Sequence, residues 1–410
     1  MKAPRTARTA LVIGVAVVMA AGSAPAFATA QAPSPSQAPA TTDAAADPRA
    51  PWTTSTIARA NSIALSTTRV SADITWTSGM VLKPRGDGDF FFDPTIWERD
   101  ERKGNGWRKL PTAPVKDPRG IARFNDVDAT SPRDAIAVSD YTKPSKGIIT
   151  QRWNGTSWRN VIAPAPKDAI TAGFVAVDAR TPRDAWAAGW AQVPSGPQKS
   201  KPIGQLQHWD GTRWTPAELP DAGEGKDGGW VLNDVTALAR DNVWAVGYAF
   251  NAKESRALLL HYDGRRWRKV DAPVPASVRV RIDSAAAAPD GTVWVAGSGV
   301  RPNGAKRGVV LRLSKGKWTQ VKVPADVWEL RNIAVSGSSP VILTDTTETA
   351  GPVALRLSGS SWTSLKLPDR GPRSTPSDIT THGRTIDVTL STLREGTDFT
   401  GPTEVLTTRR

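Results

Sequence analysis

A tryptophan that returns every 44 to 56 residues governs what this 410-residue chain can become. Trp158, Trp214, Trp267, Trp318 and Trp362 stand in copies of one segment: RWNGTSWRNVIAP at 152–164, HWDGTRWTPAELP at 208–220, HYDGRRWRKVDAP at 261–273, RLSKGKWTQVKVP at 312–324 and RLSGSSWTSLKLP at 356–368. In each, an aromatic residue or Leu precedes a Gly-containing turn, a Trp follows five positions on, and a Pro six beyond that. A degenerate copy runs from Trp97 through Trp107 to Pro111. Upstream lies a second shared segment: AIAVS at 135–139, AWAAG at 185–189, VWAVG at 243–247, VWVAG at 293–297 and VILTD at 341–345. Most follow tight-turn sequences such as SPRD at 131–134 or TPRD at 181–184. Before the turn comes another short apolar stretch, as in VAVDA at 175–179. Each repeat thus supplies four short strands, a to d, and the β-branched runs with Gly and Pro at the junctions argue against helix. Four strands at a period of about 40 to 50 residues is the pattern of propeller blades. The expectation is an all-β chain folded as a seven-bladed β-propeller of four-stranded blades.

The last repeat offers strands a to c near Asp378-Ile379-Thr380, Thr385–Val388 and Thr403–Leu406, then reaches Arg410 without a Trp-bearing strand d. The missing piece stands at the other end, where Trp52-Thr53-Thr54-Ser55-Thr56-Ile57 resembles Trp362-Thr363-Ser364-Leu365-Lys366-Leu367. The last blade is therefore expected to be closed by an N-terminal strand. All 17 tryptophans fall in the repeat region, and one per blade at strand d is what packing between blades demands. Trp190, Trp230 and Trp328 lie off the repeat positions, beside loops, and are candidates for ligand contact.

Ahead of the repeats, Lys2, Arg5 and Arg8 precede an uncharged apolar run from Ala10 to Ala21 and then small residues around Ala26 to Ala30. That order reads as a signal peptide over 1–28. The apolar run falls short of the roughly 20 residues a spanning helix needs, so no transmembrane anchor is expected. Residues 29–50, rich in Pro, Ala, Ser and Thr, read as a disordered spacer, and 51–410 as the propeller domain, secreted to the extracellular side. The absence of cysteine excludes disulfides, a thiolate nucleophile, Cys-ligated metal and a lipoprotein anchor. The net charge of +14 stays strongly positive when the three leader cations are removed. Such a chain suits anionic polymers such as teichoic acids or acidic glycans, while plain solubility with non-specific adhesion explains the charge equally simply.

HWDGTRW at 208–214 and DNVWAVG at 241–247 resemble the secreted β-propeller repeat proteins of high-GC Gram-positive bacteria. The resemblance extends over residues 52–410. It implies the fold and an exported location, and carries no defined biochemical role.

Catalytic signatures are sparse. Of three histidines, His208 and His261 occupy equivalent strand-c positions that hold Arg152, Arg312 and Arg356 in other repeats, which suggests packing, and His382 falls in an a-to-b turn. There is no HExxH, EF-hand loop, phosphate-cradling loop or nucleophile elbow, so neither metal nor cofactor is expected. Aligning the repeats on strand b sets Asn125-Asp126, Asn233-Asp234, Asp283-Ser284, Arg331-Asn332 and Ser377-Asp378 side by side at the start of strand a, with Val175-Ala176 as a gap. Strand a is innermost in a propeller. Asp126, Asp234, Asp283 and Asp378, with Arg281 and Arg331, are therefore candidate ligand residues at the channel mouth, or else groups that hydrate the channel. The b-to-c loops carry Lys143, Lys146, Lys199 and Lys201, a mildly electropositive rim. No interleaving of aromatic and basic residues of the kind that stacks bases is present, so nucleic acid is not expected. These features describe a monomeric, non-catalytic binding module for a cell-envelope or extracellular glycan, an anionic wall polymer or a protein partner. The alternative is a carbohydrate-active hydrolase or lyase using the channel-mouth carboxylates.

Overall fold

The computed structural model describes residues 52–84, 90–104, 106–115, 123–141, 147–223, 228–274, 279–345, 352–370, 374–393 and 400–409. The segments read as signal peptide and spacer, and the rim residues Lys143 and Lys146, lie outside the described residues. After β1 (Thr53–Ala58), the strands come in sets of four. The first set is β2 (Ser62–Arg69), β3 (Ile74–Pro84), β4 (Phe90–Asp100) and β5 (Trp107–Leu110). Next are β6 (Phe124–Ser131), β7 (Asp134–Tyr141), β8 (Ile148–Trp153) and β9 (Trp158–Ala163), then β10 (Thr171–Thr181), β11 (Asp184–Gly196), β12 (Lys199–Trp209) and β13 (Trp214–Pro216). There follow β14 (Gly229–Ala239), β15 (Asn242–Phe250), β16 (Ser255–Tyr262) and β17 (Trp267–Val270), and β18 (Arg279–Ala287), β19 (Val293–Val300), β20 (Lys306–Ser314) and β21 (Lys317–Val321). The last are β22 (Glu329–Ser336), β23 (Ser339–Asp345), β24 (Pro352–Ser358) and β25 (Ser361–Ser364), and β26 (Ser374–His382), β27 (Thr385–Leu393) and β28 (Thr400–Arg409). A single 3-10 turn, Glu101–Lys103, is the helical exception among the described residues.

Within each set the strands pair antiparallel in chain order. The final set is completed by β1, which pairs with β28 from Thr53↔Thr407 to Ala58↔Thr403. The sets of β6 and β10 are also joined, because the end of β7 reaches the start of β10 through Tyr141↔Ala172 and Asp140↔Gly173. First strands touch in cyclic order, β2 to β6, β10, β14, β18, β22, β26 and back to β2, so the sheets form a closed ring with these strands innermost.

The repeat motifs now have physical causes. In WDGTRW the Asp210 carboxylate accepts from the N–H groups of Thr212 (2.7 Å) and Arg213 (2.9 Å), while Gly211 takes φ 99°. Asp263 and Asn154 build the same turn, a use of Asx side chains that fixes the c-to-d hairpin. The tryptophan that follows packs on the preceding set. Trp158 lies 5.7 Å from Trp76, Trp267 lies 5.3 Å from Trp186, and Trp318 lies 5.2 Å from Trp244. Trp214 donates to Thr150, Trp362 to the Lys322 carbonyl, Trp52 to the Leu365 carbonyl and Trp107 to Ser55. The glycine ending VWAVG faces a bulge in the inner strand. A Cβ on Gly247 would sit 2.0 Å from the Val231 carbonyl oxygen, far inside contact distance.

Candidate functional site

Every inner strand carries a bulge near its start, which advances the register by one residue. The residues just past the bulge are Ser66, Asp126, Ala176, Asp234, Ser284, Asn332 and Asp378, in equivalent positions around the ring. They are bonded to one another and to the next sheet. Asp126 accepts from Ser66 and, at 2.8 Å, from the backbone N–H of Val177 one sheet on. Asp234 accepts from Ser284 (3.0 Å) and the Ala285 N–H (2.8 Å). The Ser284 hydroxyl also lies 2.9 Å from the Asn332 amide oxygen, Asn332 donates to Asp378, and Asp378 accepts from the Thr67 N–H at 2.7 Å. Ala176 is the gap. Two residues further along, Asp128 and Asp178 accept in the same way from the N–H groups of Ala179 (2.8 Å) and Ala237 (2.9 Å).

The innermost strand of each set has a free edge whose N–H groups lack a ladder partner, and the aspartates supply one from the neighbouring inner strand. Water still reaches several of these carboxylates, yet protein surrounds them on nearly all sides. Burial therefore pushes Asp178 and Asp378 up to about 7 and Asp234 up to about 6, against the pull of their hydrogen bonds. Asp126 and Asp128 rise for the same reason, and Asp378 adds repulsion at Asp126. Asp126, Asp234 and Asp378 thus come together as one tier of the axial lining, with their carboxylates engaged in joining sheets.

Asp283 and Arg331 sit one residue earlier, in the bulge itself, where they mark the mouth. Arg281 holds Asp283 through Nε at 2.8 Å and approaches Glu329 at 3.9 Å, and Arg331 reaches the same Glu329 oxygen at 3.3 Å. The Arg281 side chain stays 39% exposed, against 17% for Asp283 and Arg331. Burial raises Asp283 to about 6 although Arg281 opposes it, and it raises the neighbouring Tyr248 as well. Across the mouth, Arg123 bonds Asn125 at 2.8 Å and faces Asp140 at 3.5 Å. Asn125 and Asn233 donate to the carbonyls of Phe174 (2.8 Å) and Ile282 (2.7 Å) in the next sheets. On the rim, Lys199 is exposed and Lys201 half-buried at the start of β12.

The histidines and off-repeat tryptophans sort differently. His208 leans on Trp186 with ring centres 4.6 Å apart and bonds Asp184 at 2.8 Å; His261 stacks on Trp244 at 4.2 Å and bonds Asn242 at 3.0 Å. Trp230 is no loop aromatic, being 6% exposed and packed so closely on Gly204 that a Cβ there would meet its ring at 2.2 Å. Trp328 is half-buried, with the Lys306 ammonium 4.0 Å from its ring centre. Sequence reasoning missed Asp128, Asp178 and Glu329. The first two stand 50 residues apart at one repeat position, a signal that was there to be read. Among the described residues no group of three or more His, Asp or Glu is placed to hold a metal ion, and no helix is long and apolar enough to cross a membrane.

No family model matches the chain and no curated protein matches it. Solved structures do. The chain is similar to YCF48 bound to D1 peptide, with 14% identity and a TM-score of 0.52, covering 88% of this chain and 96% of that one. It is similar to the polysaccharide lyase Uly1, with 9% identity and a TM-score of 0.54, covering 83% and 89%. It is similar to the WD40 domain of Neurospora crassa Pan2, with 8% identity and a TM-score of 0.50, covering 88% and 96%. The all-β ring is a β-propeller.

Proposed function

We propose that the chain is an exported, non-catalytic β-propeller of seven blades that binds a partner on the face where the inner strands begin. One observation carries this reading. The channel carboxylates that would be drafted for acid–base work accept hydrogen bonds from backbone N–H groups of the neighbouring sheet. Displacing them would break bonds that join neighbouring inner strands. Recognition then falls to groups outside that tier, namely the Arg281–Asp283–Glu329–Arg331 cluster and the basic hairpins that include Lys199 and Lys201. The seven-blade count treats the sets of β6 and β10 as separate blades that share two residue pairs. Export rests on the leader-like sequence of residues 1–28. A cell-envelope or extracellular glycan, an anionic wall polymer or a protein partner fits the basic rim.

A propeller serves both the peptide-bound neighbour and the polysaccharide lyase, so the fold leaves the choice to the site. Carbohydrate cleavage is the second reading. Asp283, raised to about 6 by burial, has the proton affinity of a general acid, and Glu329 is the acid beside it. Incubating the purified protein with isolated cell walls and arrayed glycans separates the two. Salt-sensitive retention with no change in ligand size supports the binding module, because screening acts on exposed charge. New reducing ends or unsaturated products that vanish in Asp283→Asn would overturn it.

A further inference from the structure

We infer that the mouth sector formed by β18 and β22 is a subsite for a uronic acid residue of a polysaccharide, with Arg281 as its carboxylate anchor. The inference rests on the binding-module reading and names the ligand class for that face.

The anchor follows from how Arg281 is held. Its Nε is fixed by Asp283 at 2.8 Å, which sets the plane of the guanidinium, while 39% of the side chain remains in contact with solvent. Glu329 approaches from one side at a loose 3.9 Å and stays with Arg331 at 3.3 Å. A planar guanidinium pinned on one edge and open on another is suited to a bidentate grip on an incoming carboxylate. The surroundings decide what kind of carboxylate. Asp283 and Glu329 lie within the same few ångströms, and Tyr248 is close enough to feel both Arg281 and Asp283. These groups accept hydrogen bonds from hydroxyls, and the acids repel a second negative charge. A chain of acidic amino acids would bring carboxylates with no hydroxyls to match them. A sugar acid brings one carboxylate ringed by hydroxyls, which satisfies donor and acceptors together.

The floor of the site points the same way. Asp234, Ser284 and Asn332, one residue deeper, are bonded in line, so they give the mouth a polar base that is already filled and keep the ligand carboxylate at the level of Arg281. Beside the cluster, Lys306 and Arg301 are exposed, and the Lys306 ammonium rides on Trp328. Neighbouring uronate residues of a polymer would meet positive charge there.

The test is calorimetric titration of the purified protein with three probes: tetragalacturonate, the same tetrasaccharide with its carboxyls reduced to alcohols, and tetraglutamate. Tetragalacturonate should bind, and the reduced sugar and the peptide should each bind at least about tenfold more weakly, the loss expected when a charge-assisted hydrogen bond goes. Arg281→Gln should weaken tetragalacturonate by a similar factor in protein that still melts in one transition, and Arg281→Lys should restore part of it. Arg331→Gln is the second variant, should Arg281→Gln fail to fold. The inference falls if the reduced sugar binds as well as the acid, if tetraglutamate binds best, or if the folded arginine variants bind like the parent. If the inference falls while the protein still clings to cell walls in a salt-dependent way, the binding module survives without its uronate subsite. Loss of all retention removes both.

Discussion

Among the described residues, six of the contacts between neighbouring strand sets are oily and one is not. The interface between the sets of β10 and β14 buries Trp186, Leu232, Leu258, Leu260 and Trp267 together, and comparable apolar clusters fill the gaps at β6, β10, β18, β22 and β26. Where the set of β26 meets β2, the apolar cluster among the described residues shrinks to Ile63, Met80 and Leu82 with Leu65 beside them. Hydrogen bonds take over. Thr67 bonds Thr389 at 2.6 Å, Thr403 bonds the Ser62 carbonyl at 2.8 Å, and Arg69 grips Asp387 through two bonds of 2.8 and 2.9 Å. The register shows the exchange that produced this. Asp387 stands on β27 where β3, β11, β15 and β19 carry Trp76, Trp186, Trp244 and Trp294. Arg69 stands on β2 where β6, β10, β14 and β18 carry Ala129, Ala179, Ala237 and Ala287. A tryptophan over an alanine has become a carboxylate over a guanidinium. Both solutions fill the same gap, but apolar packing tolerates partial loss, whereas a buried ion pair fails when either half is removed.

The sharpest way to break that comparison is to remove the strand that closes the polar junction from outside. Deleting residues 1–58 takes away Trp52 and all of β1, exposes the β28 edge, and should abolish a single cooperative melting transition. Deleting 1–48 should leave the melt unchanged, and equal stability of the two truncations would refute closure by β1. Next in size is Asp387→Ala, which leaves the Arg69 charge, 2% exposed in its side chain, with Glu101 at 3.8 Å as its remaining carboxylate, and should lower stability by about 3–5 kcal/mol in chemical denaturation. Leu260→Ala in an oily interface should cost about 2–5 kcal/mol. The double replacement Arg69→Leu with Asp387→Leu should recover most of the Asp387→Ala loss, which Leu260→Ala cannot do through any partner; a double variant as weak as the single would mean that shape and not charge governs the junction.

A smaller effect concerns pH. Asp178, Asp234 and Asp378 hold protons up to about 7, 6 and 7 when folded, against 3.8 for an ordinary aspartate. Between those limits the folded state binds more protons than the unfolded one. The stability these groups confer is complete below about pH 4 and is lost as pH rises through 6 to 7. Urea midpoints should therefore be higher at pH 5 than at pH 8, with Asp234→Asn flattening the slope; a midpoint that climbs toward pH 8 would contradict the burial argument. The smallest change expected is Lys199→Glu, an exposed rim substitution that should shift stability by no more than about 0.5 kcal/mol and so leave both kinds of interface untouched.

Much of this was legible in the sequence because repetition exposes what each position must do. Trp158, Trp214, Trp267, Trp318 and Trp362 recur at one place in the repeat, and each packs on or bonds to the preceding set of strands; Trp52 matches Trp362 on sequence alone. The aspartates past the bulge were legible as inward groups, but their bonds to N–H groups of the next inner strand were not, because the approach of two inner strands is set by how the ring closes. Arg69 and Asp387 were illegible for the opposite reason. They break the repeat, and a departure from pattern names a position without naming its partner 318 residues away. Trp230 was misread as a loop aromatic because β14 begins earlier than its repeat suggested, and Gly204 makes the room its ring fills.

The pairing of β1 with β28 also sets an order of assembly. Each oily interface joins stretches of chain that are made one after the other, so those sheets can stack progressively as the polypeptide emerges. The last gap needs the first strand and the final strand at once, a closure spanning some 350 residues that is expected to be the slow step of folding, since distant contacts form late. Until then the two waiting faces present threonines, an arginine and an aspartate in place of a bare apolar wall. An unfinished arc of this kind offers little for a neighbouring unfinished arc to adhere to, and refolding yield should depend only weakly on protein concentration as a result.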